Sequence, residues 1–205
     1  MAGVVEALRA SGEFTDVVVV DDGSSDSTAS VAERAGALVI QTPRNLGKGG
    51  AMLFAYAGLP DDPDDRIAFF DADLLGLAPA HVRAMSDVSS RGFDMVSLRM
   101  DRSAVSNLLQ SFGSLITGQR ILRRWVLDAL PQTCWSGYCI ETAMNDVVRR
   151  NRGKSAIVVL PGVRPRTKLD KIGVVAGIRG QVRMAKQIAR TRRALRSSDG
   201  MKCEL

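Results

Sequence analysis

The chain has 205 residues, of which 45% are hydrophobic and 24% are charged, a composition typical of a globular protein with one buried core. No apolar run approaches the roughly 18 residues of a membrane span, and the N-terminal residues lack the features of a secretory signal. The three cysteines and the single histidine have no zinc-ligand spacing, so the reduced cytoplasm is the expected setting.

The net charge of +6 is unevenly distributed along the chain. Residues 164–205 contain 12 Lys/Arg and 3 Asp/Glu, whereas residues 1–163 contain 16 and 19. A basic segment behind a slightly acidic body can meet anionic lipid or nucleic acid. Because this segment has no interleaved aromatic residues and no known reading motif, nucleic acid is not expected as a partner.

Predicted strands and helices alternate along the first hundred residues. In chain order they are a helix end at Met1–Ser11, a strand at Val17–Val20, a helix at Ser27–Ala35, a strand at Ala37–Gln41, a helix ending near Gly58, a strand at Ile67–Phe70, a helix at Pro79–Ser90 and a strand at Asp94–Leu98. The β-branched run at 17–20 is typical of a strand buried on both faces. This alternation predicts an α/β fold, a mostly parallel sheet with helices on both faces.

The second part of the chain is less regular. A helix is predicted at Tyr138–Arg150 and a strand at Ala156–Leu160. The pattern over Lys171–Arg196 is helical, with basic residues on both sides of an apolar face. Such a segment is either a solvated surface helix or an amphipathic helix lying on an anionic membrane.

Two acidic turns follow predicted strands one and three. The first contains Asp21, Asp22, Gly23 and Ser24, and the second contains Asp71 and Asp73. Ligands of open parallel sheets bind beyond the carboxyl ends of the strands, where both turns lie. Carboxylates there can bond a base or ribose, or hold Mg²⁺ or Mn²⁺ with positions left for a diphosphate. The alternative is that they are polar turns in which Asp22 and Asp73 cap helices; two turns at strand ends favour a ligand site.

A glycine-rich basic turn at Arg44–Gly50 lies between the acidic turns. Its glycines let the backbone approach a phosphate, and Lys48 adds a positive charge at a helix start. It is neither a Walker loop nor a dinucleotide fingerprint, and alone it is a weak signal.

Three segments, in this order and spacing, resemble glycosyltransferase family 2: residues 18–28, 44–51 and 70–74. The branch is similar to the dolichyl- and polyprenyl-phosphate mannose and glucose synthases, over roughly residues 4–165. The resemblance implies a GT-A fold, a nucleotide-diphosphate sugar donor, a divalent metal and inversion at the anomeric carbon. It assigns Asp22 to the nucleotide, and Asp71 and Asp73 to the metal and the diphosphate. The rest of the first turn and Lys48 are counted with them as donor-binding candidates, and Asp73 is also counted as catalytic.

Further residues resemble the polyprenyl-phosphate branch less closely. Arg120 and Arg124 match a Ser-Gly-x-Arg-x-x-x-Arg stretch and can grip an acceptor phosphate, or are surface arginines. Glu141 matches an acidic motif at a helix start, where many members keep a catalytic acid. A phosphate monoester with a second pKa near ~6 needs little base assistance, whereas a sugar hydroxyl does, and Glu141 is then the candidate base. Otherwise its carboxylate simply stabilises the helix start.

The sequence departs from the family at its beginning. Members open with a strand ending in Pro-x-Tyr-Asn-Glu that lines the base and ribose, and no such segment is present. Four or five buried apolar side chains are together worth roughly 6 to 15 kcal/mol, comparable with the net stability of a domain. The hypothesis is that the true start lies upstream, or that the chain is a truncated remnant with impaired donor binding.

The sequence therefore predicts a GT-A domain at residues 1–165 and a basic helix and tail at 166–205. The expected function is transfer of a sugar from a GDP- or UDP-linked donor, with Mg²⁺ or Mn²⁺, to a polyprenyl phosphate. The alternatives are transfer to a saccharide or small-molecule hydroxyl, and a non-catalytic remnant that binds lipid or a partner. The expected location is the cytoplasm. If the basic tail binds anionic lipid, the protein is expected to lie peripherally on the inner face of the membrane.

Overall fold

The computed structural model describes residues 1–100, 117–135 and 139–166. The helices described are α1 (Ala2–Ser11), α2 (Thr28–Arg34), α3 (Gly47–Tyr56), α4 (Pro79–Ser90), α5 (Arg124–Asp128) and α6 (Cys139–Arg150), with a 3-10 turn at Gln132–Cys134. The strands are β1 (Val18–Asp21), β2 (Leu38–Gln41), β3 (Arg66–Phe69), β4 (Leu74–Leu75), β5 (Met95–Met100), β6 (Arg120–Arg123), β7 (Ser155–Leu160) and β8 (Arg164–Pro165).

The main sheet has four strands in the order β3-β6-β5-β7. Strand β6 is antiparallel to β3 and to β5, while β5 is parallel to β7. Three of the four strands therefore run in one direction, with β6 inserted between two of them. The parallel pair β1-β2 and the short antiparallel pair β4-β8 form separate sheets.

Apolar side chains pack on both faces of the main sheet. Neighbouring residues of one strand divide between two cores: Val96 and Ile121 join the first core, whereas Met95 and Leu122 join the second. The first core contains side chains from α1 and α4, and the second contains side chains from α5 and α6. This alternation is what the two-residue period of a strand requires, and it confirms the predicted α/β fold with helices on both faces.

Two features of the sheet differ from the prediction. Strand β6 was not expected, because the sequence from 117 to 124 was interpreted only as a phosphate-binding stretch. The predicted double-sided burial of the run Val17–Val20 was also wrong for Val18, Val19 and Val20, which are only partly buried, although Val17 is buried. The reason is that β1 pairs only with β2, so within the described residues its other edge has no strand beside it. The same holds for β3, whose only strand partner there is β6.

The remaining predicted elements agree with the structure to within a few residues. The helix at 79–90 has the predicted bounds, and the predicted helical character of residues 1–11 is confirmed. No helix in the described ranges is both long and apolar enough to cross a bilayer. Tyr138, which the predicted helix at 138–150 included, and the predicted basic helix at 171–196 lie outside the described residues.

Candidate active site

The turn after β1 holds the glycine-rich turn in place through Asp22. Its Oδ1 accepts hydrogen bonds from the Leu46 amide at 2.7 Å and the Thr42 hydroxyl at 2.8 Å, and its Oδ2 accepts one from the Gly47 amide at 2.7 Å. Burial alone would raise the pKa of Asp22, but the bonds from Leu46, Thr42 and Gly47 outweigh it and lower the pKa. Asp22 therefore supplies the capping interaction for α3 from a distant turn.

The rest of the first turn is stabilised internally. Asp21 is buried and accepts the Ser24 amide at 2.8 Å. Hydrogen bonds from the Ser24 hydroxyl and amide lower the pKa of this carboxyl. Gly23 has a φ of 86°, a left-handed conformation that glycine adopts at little cost, and lies against the backbone of Asn45. The turn thus lies against the segment that leads into α3, the helix that carries Lys48.

The turn after β3 presents the Asp71 carboxylate to two side-chain donors. Oδ1 accepts a hydrogen bond from Lys48 Nζ at 2.8 Å, and Oδ2 accepts one from the Gln119 amide nitrogen at 2.6 Å. The Gln119 side-chain oxygen in turn accepts the Thr117 hydroxyl at 2.6 Å. Side chains rather than backbone groups therefore orient Asp71, which stays 37% exposed.

Gly118 gives Asp71 the space it occupies. A Cβ atom at this position would lie 2.5 Å from each carboxylate oxygen, a separation at which the atoms overlap. The carboxylate therefore lies directly against the backbone of the segment that begins β6. Any side chain at 118 would displace Asp71 from Lys48 and Gln119.

Glu141 meets the same lysine from the first turn of α6. Its Oε1 lies 2.8 Å from Lys48 Nζ, and its side chain is only 3% exposed. The other oxygen, Oε2, is buried and has no hydrogen-bond partner among the described residues. One ammonium thus bridges a carboxylate at the end of β3 and a carboxylate at the start of a helix.

The surroundings of Lys48 stabilise the positively charged form of its side chain. Burial would lower the pKa of its ammonium, but the charges of Asp71 and then Glu141 outweigh that effect and raise the pKa above its ordinary value. The three charged groups form a compact ion cluster at the carboxyl end of β3, where the sequence predicted a ligand site.

Arg120 is a buried residue that hydrogen-bonds the backbone of the cluster at Glu141. It is 1% exposed, and its guanidinium donates to the Thr117 carbonyl at 2.7 Å and to the Glu141 carbonyl at 3.3 Å. It also donates to the Asn145 side chain at 3.3 Å. Burial lowers the pKa of Arg120 to about 10, against the opposing effect of Glu141 and Asp71, so it stays protonated at neutral pH. In this structure its contacts join β6 to α6.

Arg124 lies apart from the cluster. It is buried, it donates to the Pro60 carbonyl at 2.5 Å, and it forms ion pairs with Asp61 and Asp65 of the loop between α3 and β3. Its guanidinium also lies 5.1 Å from the centroid of the Tyr56 ring, which stacks on Trp135. The structure thus brings neither predicted arginine to an open surface beside Lys48.

Asp73 lies beside the start of the basic segment. Its carbonyl accepts the Arg166 amide at 3.0 Å, next to the pairing of β4 with β8. The side chain of Arg166 is exposed. The short β4-β8 ladder therefore brings a basic residue next to the second acidic turn.

The donor set around Asp71 fits a divalent cation that arrives with its own ligands. Asp71 offers two hard oxygen atoms and already holds a positive group, the Lys48 ammonium, between itself and Glu141. Within the described residues no three His, Cys, Asp or Glu side chains converge as a complete metal site would require. Diphosphate oxygens and water would have to complete the coordination shell.

Sequence reasoning missed three residues that shape this site. Gln119, Gly118 and Thr117 lie in the stretch that was singled out for its arginines, yet they are the residues that orient Asp71. The available signal was a glycine followed by an amide side chain immediately before a strand. Thr42, the hydroxyl partner of Asp22, had no distinguishing signal beyond its place after β2.

Comparison with curated proteins finds relatives that act on a lipid phosphate. Over 105 residues the chain is 31% identical to an undecaprenyl-phosphate 4-deoxy-4-formamido-L-arabinose transferase of Edwardsiella ictaluri, covering 48% of this chain and 31% of the relative. Over 157 residues it is 26% identical to the transferase of that name from Proteus mirabilis, covering 66% and 47%. The chain spans less than half the length of these two relatives.

Comparison with solved structures finds the same fold. Glucosyl-3-phosphoglycerate synthase from Mycobacterium tuberculosis, in complex with Mg²⁺ and uridine diphosphate, matches with a TM-score of 0.71 at 23% identity, covering 93% of this chain and 72% of that one. Its complex with Mn²⁺, uridine diphosphate and glucosyl-3-phosphoglycerate matches with a TM-score of 0.69. These likenesses show the GT-A fold predicted from the sequence. The model of glycosyl transferase family 2 matches residues 1–130, and the chain belongs to that family.

Proposed function

We propose that this chain is the donor-binding part of an inverting glycosyltransferase that moves a sugar from a nucleotide diphosphate to a polyprenyl phosphate. The observation that carries the proposal is the ion cluster of Asp71, Lys48 and Glu141 at the carboxyl end of β3. The names of the curated relatives, which act on undecaprenyl phosphate, support the acceptor class. The uridine diphosphate and divalent metals bound by proteins of the same fold support the donor class.

Each part of the cluster has a task in this reaction. Asp71, with Asp73 two residues on, would hold Mg²⁺ or Mn²⁺, and the bound cation would neutralise negative charge on the diphosphate. Lys48 adds positive charge at Asp71, and the exposed Arg166, whose amide bonds the Asp73 carbonyl, adds a second basic residue next to this turn. The Asp22-clamped turn fixes the backbone from which Lys48 extends, and Asp22 retains a proposed place beside the nucleotide.

The bond changes follow from the acceptor. An oxygen atom of the lipid phosphate attacks the anomeric carbon from the face opposite the leaving group, and the bond from that carbon to the diphosphate oxygen breaks. The nucleoside diphosphate leaves with the electron pair, and the configuration at the anomeric carbon inverts. Because a phosphate monoester with pKa near ~6 is already an anion at neutral pH, this attack requires no catalytic base.

Acceptor binding is the step for which the predicted arginines were proposed. In the described structure Arg120 and Arg124 are held by protein groups, so a phosphate-binding role for either requires those contacts to open. The basic segment at 166–205 is the proposed contact with an anionic membrane on the cytoplasmic side. Co-sedimentation with vesicles containing anionic lipid tests it, and retention of binding in high salt would count against an electrostatic contact.

A donor panel is the direct test of the function. Melting of the chain is followed with UDP- and GDP-sugars, each with and without Mn²⁺, and transfer is followed as radiolabelled sugar extracted with undecaprenyl phosphate. We expect metal-dependent stabilisation by one donor class and lipid-linked product. Absence of donor stabilisation under all conditions would instead favour the non-catalytic remnant that binds lipid or a partner.

A second function, transfer to a saccharide or small-molecule hydroxyl, is favoured by one observation. The Glu141 side chain is 3% exposed, and its buried Oε2 has no hydrogen-bond partner among the described residues, so this oxygen could accept a proton from a hydroxyl once an acceptor opens the site. The two acceptors predict different results for Glu141→Gln. With a hydroxyl acceptor, transfer falls by roughly 10²–10⁴-fold, the usual contribution of a positioned base. With a phosphate acceptor, transfer changes far less.

A further inference from the structure

Lys48 occupies a position between two carboxylates that suits a bound cation. Its Nζ lies 2.8 Å from Asp71 Oδ1 and 2.8 Å from Glu141 Oε1. The carboxylates come from different elements, the turn after β3 and the first turn of α6. A single ammonium therefore prevents mutual repulsion of two acids that face each other across the site.

The charges of the cluster balance without a metal. Asp71 and Glu141 are negative, while Lys48 and the buried Arg120 beneath them are positive. A free divalent cation at Asp71 would meet the positive charge of Lys48 directly and that of Arg120 nearby. A cation that arrives with a nucleotide diphosphate would bring compensating negative charge, so the two ligands should bind better together than either binds alone.

Only the end of the Lys48 side chain has to move for a metal to enter. The backbone on its N-terminal side is fixed, because Asp22 accepts hydrogen bonds from the amides of Leu46 and Gly47. Asp71 Oδ2 is held separately by Gln119, so the carboxylate keeps its position when Oδ1 is released. A lysine side chain is a flexible stem carrying a compact charge, which suits an exchange of this kind.

We propose that Lys48 is an internal competitor for the divalent cation at Asp71 and that it makes metal binding depend on the nucleotide diphosphate. In the metal-free protein Lys48 neutralises Asp71. When the diphosphate arrives, the ammonium exchanges Asp71 Oδ1 for a phosphate oxygen and stays beside Glu141, and the cation takes the vacated carboxylate oxygen. The inference rests on the proposed donor and metal site.

Mn²⁺ titration with and without uridine diphosphate tests the competition, with free Mn²⁺ measured by electron paramagnetic resonance. Lys48→Met should bind Mn²⁺ alone about ten-fold more tightly than the wild type, since a competing charge is lost while the Asp71 ligand stays. The enhancement of Mn²⁺ binding by uridine diphosphate should shrink, and so, by linkage, should the enhancement of nucleotide binding by Mn²⁺. Lys154→Met, which removes an exposed lysine beside the start of β7, should match the wild type in both titrations.

The titration separates the inference from the proposed function. One outcome overturns the inference only. In it, Mn²⁺ and uridine diphosphate still bind the wild type together, but Lys48→Met binds Mn²⁺ alone no more tightly than the wild type does. Lys48 would then be a plain phosphate ligand. Failure of every chain to bind Mn²⁺, even with uridine diphosphate, would overturn the metal site and the inference with it.

A measurement on the unmodified chain guards against misfolding of the variant. The rate at which an amine-specific reagent modifies Lys48 is followed by peptide mass spectrometry, with Lys154 as the internal reference. The rate at Lys48 should rise, relative to Lys154, at Mn²⁺ concentrations high enough to load the protein without nucleotide, because Mn²⁺ then displaces the ammonium from Asp71. An unchanged ratio in metal-loaded protein would show that Lys48 and the metal do not share Asp71.

Discussion

The two acidic turns resemble each other in sequence but differ in how their carboxylates are held. Asp22 accepts two backbone amides and a hydroxyl, so both of its oxygen atoms are committed to the fold. Among the described residues, Asp71 accepts hydrogen bonds from the ends of two side chains alone, those of Lys48 and Gln119. Amides in a capped helix start cannot leave without unfolding it, whereas an ammonium and a carboxamide can rotate away.

This difference divides the site into a fixed part and an exchangeable part. The fixed part sets where Lys48 begins, and the exchangeable part leaves Asp71 free to receive a ligand. The prediction that both turns bind the donor is therefore best supported at Asp71. At Asp22, the capping role that the sequence also allowed is the one visible in the described contacts.

The largest expected effect comes from removing the Asp71 charge. Asp71→Asn should reduce Mn²⁺-dependent binding of uridine diphosphate by about 100-fold or more, since a neutral amide is a poor ligand for a hard cation. Its melting temperature should change little, because the carboxylate is partly exposed and held by side chains. Calorimetric titration measures the first effect and thermal melting the second.

The matched control is Asp87→Asn, which neutralises an exposed carboxylate on α4 away from the cluster. It should leave both measurements unchanged. Full metal-dependent nucleotide binding by Asp71→Asn would show that the exchangeable part is not the donor site.

A smaller effect is expected from displacing Asp71 without changing its charge. Gly118→Ala places a Cβ where the carboxylate lies, at 2.5 Å from both oxygens, so the turn must shift. We expect metal-dependent nucleotide binding to weaken by about 10- to 100-fold, the usual effect of disturbing groups that orient a metal ligand.

Gly3→Ala is the control for this substitution. Gly3 lies in α1 with nothing within 4 Å of its would-be Cβ, so alanine there should be neutral or slightly stabilising. If Gly118→Ala bound uridine diphosphate and Mn²⁺ as the wild type does, the contact between Gly118 and Asp71 would have no functional importance.

The fold was predictable because its signals are local and repeated. Apolar runs that end in polar turns located β1, β2 and β3, and proline at the start of α4 located that helix to the residue. Strand β6 was missed because it begins and ends with an arginine, Arg120 and Arg123, and a third arginine, Arg124, follows it directly. The burial of Arg120 depends on α6, which is distant in sequence and invisible to any local pattern.

The site was predictable only in part for the same reason. Acidic residues after strands indicated where a ligand would bind, and Lys48 was identified by its place at a helix start. The sequence did not indicate that Lys48 would reach Glu141, since the two residues meet only after α3 and α6 pack on the same end of the sheet. Nor did it indicate that the Asp22 carboxylate would accept hydrogen bonds from the amides of Leu46 and Gly47, 24 and 25 residues further along the chain.

The fixed part of the site is tested by its contribution to stability. Asp22→Asn turns one acceptor into a donor that faces the Gly47 or Leu46 amide, and this should lower the free energy of unfolding by about 1–3 kcal/mol at neutral pH. Urea denaturation measures the loss. Asp26→Asn, in an exposed position of the same turn, is the control and should cost less. A variant as stable as the wild type would show that the clamp on α3 contributes nothing.

The smallest effect is the pH dependence of that loss. Hydrogen bonds lower the pKa of Asp22 in the folded protein relative to the unfolded chain, where an aspartate titrates near about 3.9. The charged form therefore stabilises the fold above that value, and the contribution disappears as the pH falls through the folded-state pKa. The stability difference between the wild type and Asp22→Asn should accordingly be constant from about pH 7 to 5 and narrow below about pH 4. Asp26, whose pKa is also lowered, titrates in both proteins and cancels in the difference, whereas the charge of Asp21 opposes that of Asp22 and reduces the difference slightly. A difference that stays constant down to the acid transition would attribute the loss to the geometry of the asparagine rather than to the missing charge.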